Sequence, residues 1–176
     1  MIRVLAVAAL ALALEWTRVL AARRPELQTV ALIGGGAALT LTGCWRPRQL
    51  GLSRRRLGLK LAGGLGLAAV LVLPAAMRSG SLPVLPPSMA AAAILVSVGE
   101  EVAFRGALYS ALEAAAGAPA AIVGSTLTFT AAHVLSHPLA FLVPLAAAGL
   151  LMGLWRWACR DLVAPILGHT LADLSL

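Results

Sequence analysis

Between Ser88 and Ala116 an apolar segment carries Glu100, Glu101 and Arg105 within six positions. A charged side chain in the middle of a membrane helix costs about 2.5 to 3.5 kcal/mol on insertion scales, so three of them in one helix need partners or a water-filled cavity. Nothing else in the chain restricts its fold as strongly. Whatever packs around this helix has to satisfy two carboxylates and a guanidinium at depth.

The setting is a membrane. Of the 176 residues 60% are hydrophobic and 12% charged, with a mean hydropathy of +0.92, whereas soluble domains carry about 25% charged residues. Long apolar runs separated by short basic or Pro/Gly breaks predict an all-α, polytopic transmembrane helical bundle of about seven membrane helices, packed as one compact unit. The net charge of +7 does not point to nucleic acid, because most arginines lie between apolar runs and no aromatic-interleaved basic face accompanies them. The lipid bilayer is the expected partner of such a surface. Cys44 and Cys159 belong to no CxxC or Cys/His cluster, so metal or redox chemistry through sulfur has no support, and a disulfide between them is left open.

The first run, from Ile2 to about Leu14, meets Glu15, Trp16, Thr17 and Arg18; these polar residues interrupt it before any cleavage site, which favours an uncleaved first helix over a signal peptide. Thr29 to Trp45 is the second run, centred on Gly34, Gly35 and Gly36, and Arg46 to Lys60 forms the largest basic loop. A third run spans Leu61 to Met77, and Pro83, Pro86 and Pro87 mark the loop after it. The charged segment then runs from Ser88, read as its N-cap, to Ala116, where Gly117 and Pro119 stop it. Three more helices are expected: 118–135, 139–157 with Gly149 and Gly153 in GxxxG spacing and Trp155 and Trp157 at an interface, and a short last one at 162–176. The chain thus divides into N-terminal helices with a basic loop over 1–87 and a motif-bearing core over 88–176. The side holding Arg3, the Arg46–Lys60 loop, Arg156 and Arg160 outweighs the side holding Arg18, Arg23, Arg24 and Arg78, so the amino terminus is predicted cytoplasmic.

Polar groups on other core helices answer the charged segment. Glu101 and Arg105 stand four positions apart on one helix face, where they pair, leaving Glu100 to face elsewhere. Phe129 and His133 share a face of the next helix, and His169 and Asp173 share a face of the last, so that Asp173 either accepts a hydrogen bond from His169 or points with it into one pocket. His137, before Pro138, reads as a loop residue, while Glu113 and Asp161 read as interfacial and Tyr109 as interfacial or packing. Two histidines at depth beside a diacid helix favour a functional site over satisfied packing. There is no HExxH, GxGD or GxSxG, so zinc-, aspartyl- and serine-type signatures are missing.

The order EExxxR (Glu100, Glu101, Arg105), FxxxH (Phe129, His133) and HxxxD (His169, Asp173), each on its own helix, resembles the CPBP family of intramembrane proteases, which includes the type II CAAX prenyl endopeptidases and bacterial relatives tied to bacteriocin processing and self-immunity. The resemblance covers about Ser88 to the carboxyl terminus. It implies a water activated by Glu100 as general base with His133 beside it, and His169 with Asp173 stabilising the oxyanion. The eukaryotic pattern has Asn in the last place. An ionised Asp only accepts hydrogen bonds, so Asp173 is protonated, orients His169, or binds a metal. Glu100, His133, His169 and Asp173 would be the ligands in that case, zinc being the fitting ion, although the resemblance favours a mechanism without metal.

The function expected from this resemblance is an intramembrane endopeptidase acting on a membrane-anchored peptide or protein, with Glu100, His133, His169 and Asp173 catalytic and Glu101, Arg105 and Phe129 supporting. The Ala/Leu/Arg-rich composition fits a multi-pass protein of a bacterial inner membrane. A non-proteolytic scaffold or bacteriocin-immunity protein that retains the motif is the alternative. A small transporter ranks below it, because no repeated halves with paired broken helices are visible.

Overall fold

The computed structural model describes residues 1–22, 45–53, 55–79 and 85–175, and among these it is helical without a strand. The expected second helix with Gly34 to Gly36, together with Arg23, Arg24, Cys44, Arg54 and Pro83, lies outside the described residues. Helix α1 spans Ile2–Ala22 and α2 spans Leu57–Ser79. Then come α3 (Pro87–Glu100), a π-helical segment (Glu101–Leu108), α4 (Tyr109–Ala132), a 3-10 turn (His133–Leu135), α5 (Leu139–Cys159) and α6 (Val163–Asp173).

Helix α3, the π segment and the first part of α4 form one rod that ends at Gly117, where φ is +84°. Only glycine takes that conformation without strain, and Pro119 has no N–H to carry the helix across it. The break therefore falls where the sequence places it. Ser88 is not the N-cap, however: the helix starts at Pro87 after Pro86 with no side-chain cap, because proline is already set for the first helical turn. The last helix is short, 11 residues.

Two stretches, Pro87–Leu135 and Leu139–Cys159, are long and apolar enough to cross a membrane among the described residues. A count of about seven spans goes beyond them. The distribution of side chains is that of a protein dissolved in lipid: Leu5, Leu59, Leu65, Leu127 and Val143 face outward, while Glu101, Arg105, Arg156 and Asp161 are buried.

Without a hydrophobic drive between helices in lipid, close backbone approach and polar contacts hold the bundle. Helix α2 lies along α6, and a Cβ at Gly168 would meet Leu67 Cβ at 2.7 Å and the Gly64 carbonyl at 3.3 Å. The second half of α4 packs on α5 through Gly149 and Gly153, whose nearest neighbours there include Phe129, Thr126 and Ile122. Helix α1 lays Val4, Val7 and Ala11 into a cluster with Phe104, Leu108 and Ala111.

Two polar anchors lie at helix ends. Asp161, in the turn before α6, is 1% exposed. Its carboxylate accepts from Val163 N at 3.1 Å and Ala164 N at 3.0 Å, the first donors of α6, and pairs with Lys60 Nζ at 3.0 Å. Arg156, counted among charges at the membrane surface, is 3% exposed. It donates from Nε to the Arg105 carbonyl at 3.3 Å and from Nη2 to the Gln49 carbonyl at 2.7 Å, tying the 45–53 segment to the π turn. Glu113 pairs with Arg160 at 2.9 Å near the surface, and Tyr109 is fully buried packing.

Candidate active site

The whole π segment is buried. A π turn is wider than an α turn and recurs at functional sites. Here it carries Glu101 and Arg105 into the bundle interior, directly after Glu100 at the end of α3. Arg105 Nη1 donates to Glu101 Oε1 at 2.8 Å, and both side chains are fully buried. The expected pairing is thus present, but it involves more than two residues. His169 Nδ1 lies 2.9 Å from the same Glu101 oxygen, and a carboxylate oxygen makes that nitrogen the donor. Glu101 therefore fixes the ring of His169 as well as the guanidinium.

Phe129 covers this pair. Its ring centre is 3.9 Å from the Arg105 guanidinium carbon, 4.5 Å from the His133 ring and 5.9 Å from the His169 ring. A cation over an aromatic face is worth about 2 kcal/mol when desolvated. Phe104 meets Phe129 edge to face at 5.4 Å. Gly149 leaves the room: a Cβ there would lie 3.1 Å from Arg105 Nη2.

His133 stands where α4 tightens into the 3-10 turn. Its Nδ1 is 2.8 Å from the Phe129 carbonyl, so Nδ1 carries the hydrogen and Nε2 is turned to Glu100. Glu100 Oε2 lies 3.6 Å from His133 Nε2 and 3.8 Å from His169 Nε2. Both separations are too long for direct hydrogen bonds and suit a shared water. Asp173 Oδ2 is 3.6 Å from His169 Nε2 and 2.7 Å from Ser97 Oγ, so Asp173 bonds to Ser97, and the close acceptor for His169 is Glu101.

The structure thus brings Glu100, Glu101, Arg105, Phe129, His133, His169 and Asp173 into one cluster. His137 borders it, its ring 5.5 Å from that of His133 and stacked on Phe141 at 4.9 Å. Three residues that sequence reasoning assigned no place in the site join it. Ser97 is one. The other two come from α1, where Glu15 is 5% exposed, Arg18 Nε donates to Glu15 Oε2 at 2.9 Å, and Arg18 Nη2 lies 3.5 Å from Glu100 Oε1. Charges interrupting the first apolar run were the signal available for them.

Of the four ligands named from the sequence, Glu100 lies 3.6 Å from His133 and 3.8 Å from His169, and His169 lies 3.6 Å from Asp173. Among the described residues, the group with one ligand atom each within 4.8 Å of one another is Glu15, Glu100 and His133, which leaves out His169 and Asp173. Two carboxylates and an imidazole have the donor chemistry of a zinc site. As arranged they do not fit a resident dication, because the Arg18 guanidinium already pairs with Glu15 and reaches Glu100.

Residues 82–175, more than half of the chain, match a family model described as Type II CAAX prenyl endopeptidase Rce1-like. That span holds every residue of the cluster except Glu15 and Arg18. No curated protein and no solved structure matches the chain.

Proposed function

The chain belongs to the Rce1-like family of type II CAAX prenyl endopeptidases, and from that premise we propose that it is a glutamate-type intramembrane endopeptidase that hydrolyses a membrane-anchored peptide or protein. The observation that carries this reading is the position of Glu100 Oε2, 3.6 Å from His133 Nε2 and 3.8 Å from His169 Nε2. A water in reach of Oε2 and of the free lone pair of His133 is held by two acceptors. Glu100 takes its proton as the oxygen attacks the scissile carbonyl, then returns that proton to the departing amine nitrogen. His133 orients the water, its own ring set by the Phe129 carbonyl.

His169 faces the same point with Nε2 while Glu101 holds Nδ1. It donates to the oxyanion when Nε2 carries a proton, a contribution of about 2.7 to 4 kcal/mol for one such donor in other enzymes. Asp173 supports the oxyanion side with Ser97. No step passes through a metal. We place the chain in a multi-pass topology of about seven helices with its amino terminus cytoplasmic. Arg18 and Arg156 both make contacts inside the bundle, one from each side of the positive-inside count, so the basic 46–60 loop carries the orientation.

The test compares the free termini of membrane proteins in cells carrying the wild type, Glu100→Gln or His133→Ala. Peptides that appear only with the wild type identify the substrate. Purified protein is then given a lipid-anchored peptide of that sequence, with folding checked by thermal unfolding in detergent. Full cleavage by Glu100→Gln removes the mechanism. No difference between the three proteomes, together with a loss of stability in Glu100→Ala, favours the non-proteolytic scaffold or immunity protein instead.

A further inference from the structure

Glu100 uses its two oxygens differently. Oε2 is the one near His133 and His169, and Oε1 is the one near Arg18 Nη2, at 3.5 Å. Arg18 is itself held by Glu15, one turn back on α1, through both Nε and Nη2. The groups facing Glu100 are therefore Glu15 and Arg18 from α1, His133 from the end of α4 and His169 from α6, with Asp173 beyond it. Among these, Arg18 is the one permanently charged cation. It lies outside the span matched by the family, 82–175.

We propose that Arg18, braced by Glu15, is the cation that serves Glu100 and a positioning residue for it, occupying Oε1 so that Oε2 is presented to the water and the two imidazoles. A planar guanidinium is suited to the task. It serves two carboxylates at once in fixed directions and never loses its charge. It also engages Glu15 and Glu100, two of the three residues whose ligand atoms lie within 4.8 Å of one another. The proposal deepens the protease reading by adding α1 to the active site, and it rests on that reading for its kinetic consequence alone.

The test has two arms on the purified full chain. In the first, zinc chloride is added to the wild type, Arg18→Met and Arg18→Lys, and bound zinc is counted after desalting. Methionine keeps the length and removes the charge, leaving two carboxylates and an imidazole uncompensated. Arg18→Met is expected to take up about one zinc per chain, the stoichiometry of one three-ligand site. Wild type and Arg18→Lys take up none, and Glu15→Gln added to Arg18→Met abolishes the uptake. Equal zinc uptake by wild type and Arg18→Met overturns the proposal. Arg18→Gln provides the same comparison if the methionine variant does not fold.

In the second arm, cleavage of the lipid-anchored peptide by Arg18→Met is expected to fall about 100-fold in kcat with KM within a factor of two, as for a misplaced catalytic group. Arg18→Lys recovers part of it. Unchanged kcat in Arg18→Met overturns the positioning role. If nothing is cleaved by any form, the protease reading fails, while the zinc comparison still decides what Arg18 does.

Discussion

His169 Nδ1 donates to Glu101 Oε1 at 2.9 Å across 68 positions of sequence. The same oxygen receives Arg105, so one carboxylate neutralises a buried cation and sets the direction of a histidine on another helix. These two duties separate under mutation. Glu101→Leu alone leaves the Arg105 charge unpaired at full burial, which costs about 3 to 5 kcal/mol. Replacing both members, Glu101→Leu with Arg105→Met, removes the stranded charge and should recover most of the stability in thermal unfolding. Cleavage should stay lost in the double variant, because His169 still lacks its acceptor. Recovered cleavage would mean that Glu101 is only a counter-ion.

Asp173 gives a contrast between carboxylate and amide. Ser97 Oγ lies 2.7 Å from both Asp173 Oδ2 and the Ala93 carbonyl, yet a hydroxyl has one proton to donate. Ser97 donates to Asp173 Oδ2 or to Ala93, and an amide oxygen at position 173 accepts from Ser97 as the carboxylate oxygen does. Asparagine keeps that acceptor and adds an N–H donor. Asp173→Asn should therefore keep cleavage within about tenfold of wild type, and Asp173→Ala should lose about 100-fold, the scale of a lost oxyanion-side donor. If Asn is as damaging as Ala on the lipid-anchored peptide, Asp173 works as an ionised group.

The parts of this site that were legible in the sequence are those whose signal is local. Glu101 and Arg105 pair because they are four apart on a helix, Gly117 breaks the rod because of its own backbone, and Gly149 and Gly153 face the neighbouring helix because small residues at that spacing do. Distant partners were not legible. Lys60 and Asp161 look like a loop charge and an end charge, and only the packing of α2 along α6 makes them a buried pair. Glu15 and Arg18 obeyed the same rule as Glu100, since a charge in an apolar helix needs a partner, but the sequence does not say that the partner lies 82 positions away. His169 shows the same limit. Asp173 is near it along the helix, whereas Glu101 is near it only through the fold.

Asp161 should matter for function without touching the cluster. It joins Lys60 of α2 to the first N–H groups of α6, the helix that carries His169 and Asp173. Asp161→Ala removes an acceptor from four donors, Val163 N, Ala164 N, Lys60 Nζ and Trp155 Nε1, and leaves Lys60 without a counter-charge in a mostly buried position, an effect of about 3 to 5 kcal/mol. Lys60→Met should cost less, because the carboxylate keeps both backbone donors. Thermal unfolding in detergent ranks the two, and the order Asp161→Ala worse than Lys60→Met is the expected one. The reverse order would assign the anchor to the lysine and its contacts with Ser53.

Gly149 and Gly153 provide the last contrast, because the same substitution meets different surroundings one helical turn apart. A Cβ at Gly149 would lie 3.1 Å from Arg105 Nη2 and 3.4 Å from Phe129 Cδ1, whereas at Gly153 the nearest atom is Ile122 Cγ2 at 3.6 Å, an ordinary contact. Arg105 has little freedom to withdraw, since Glu101 holds one side and the Phe129 ring lies under its plane. Gly149→Ala should therefore cost about 1 to 3 kcal/mol, the usual penalty of overpacking, and lower cleavage by displacing Glu101 and with it His169. Gly153→Ala gains the helix preference of alanine, about 1 kcal/mol over glycine, and should be neutral or stabilising with unchanged cleavage. Unfolding and cleavage measured on both variants decide it. Equal behaviour would mean that α5 does not press on Arg105.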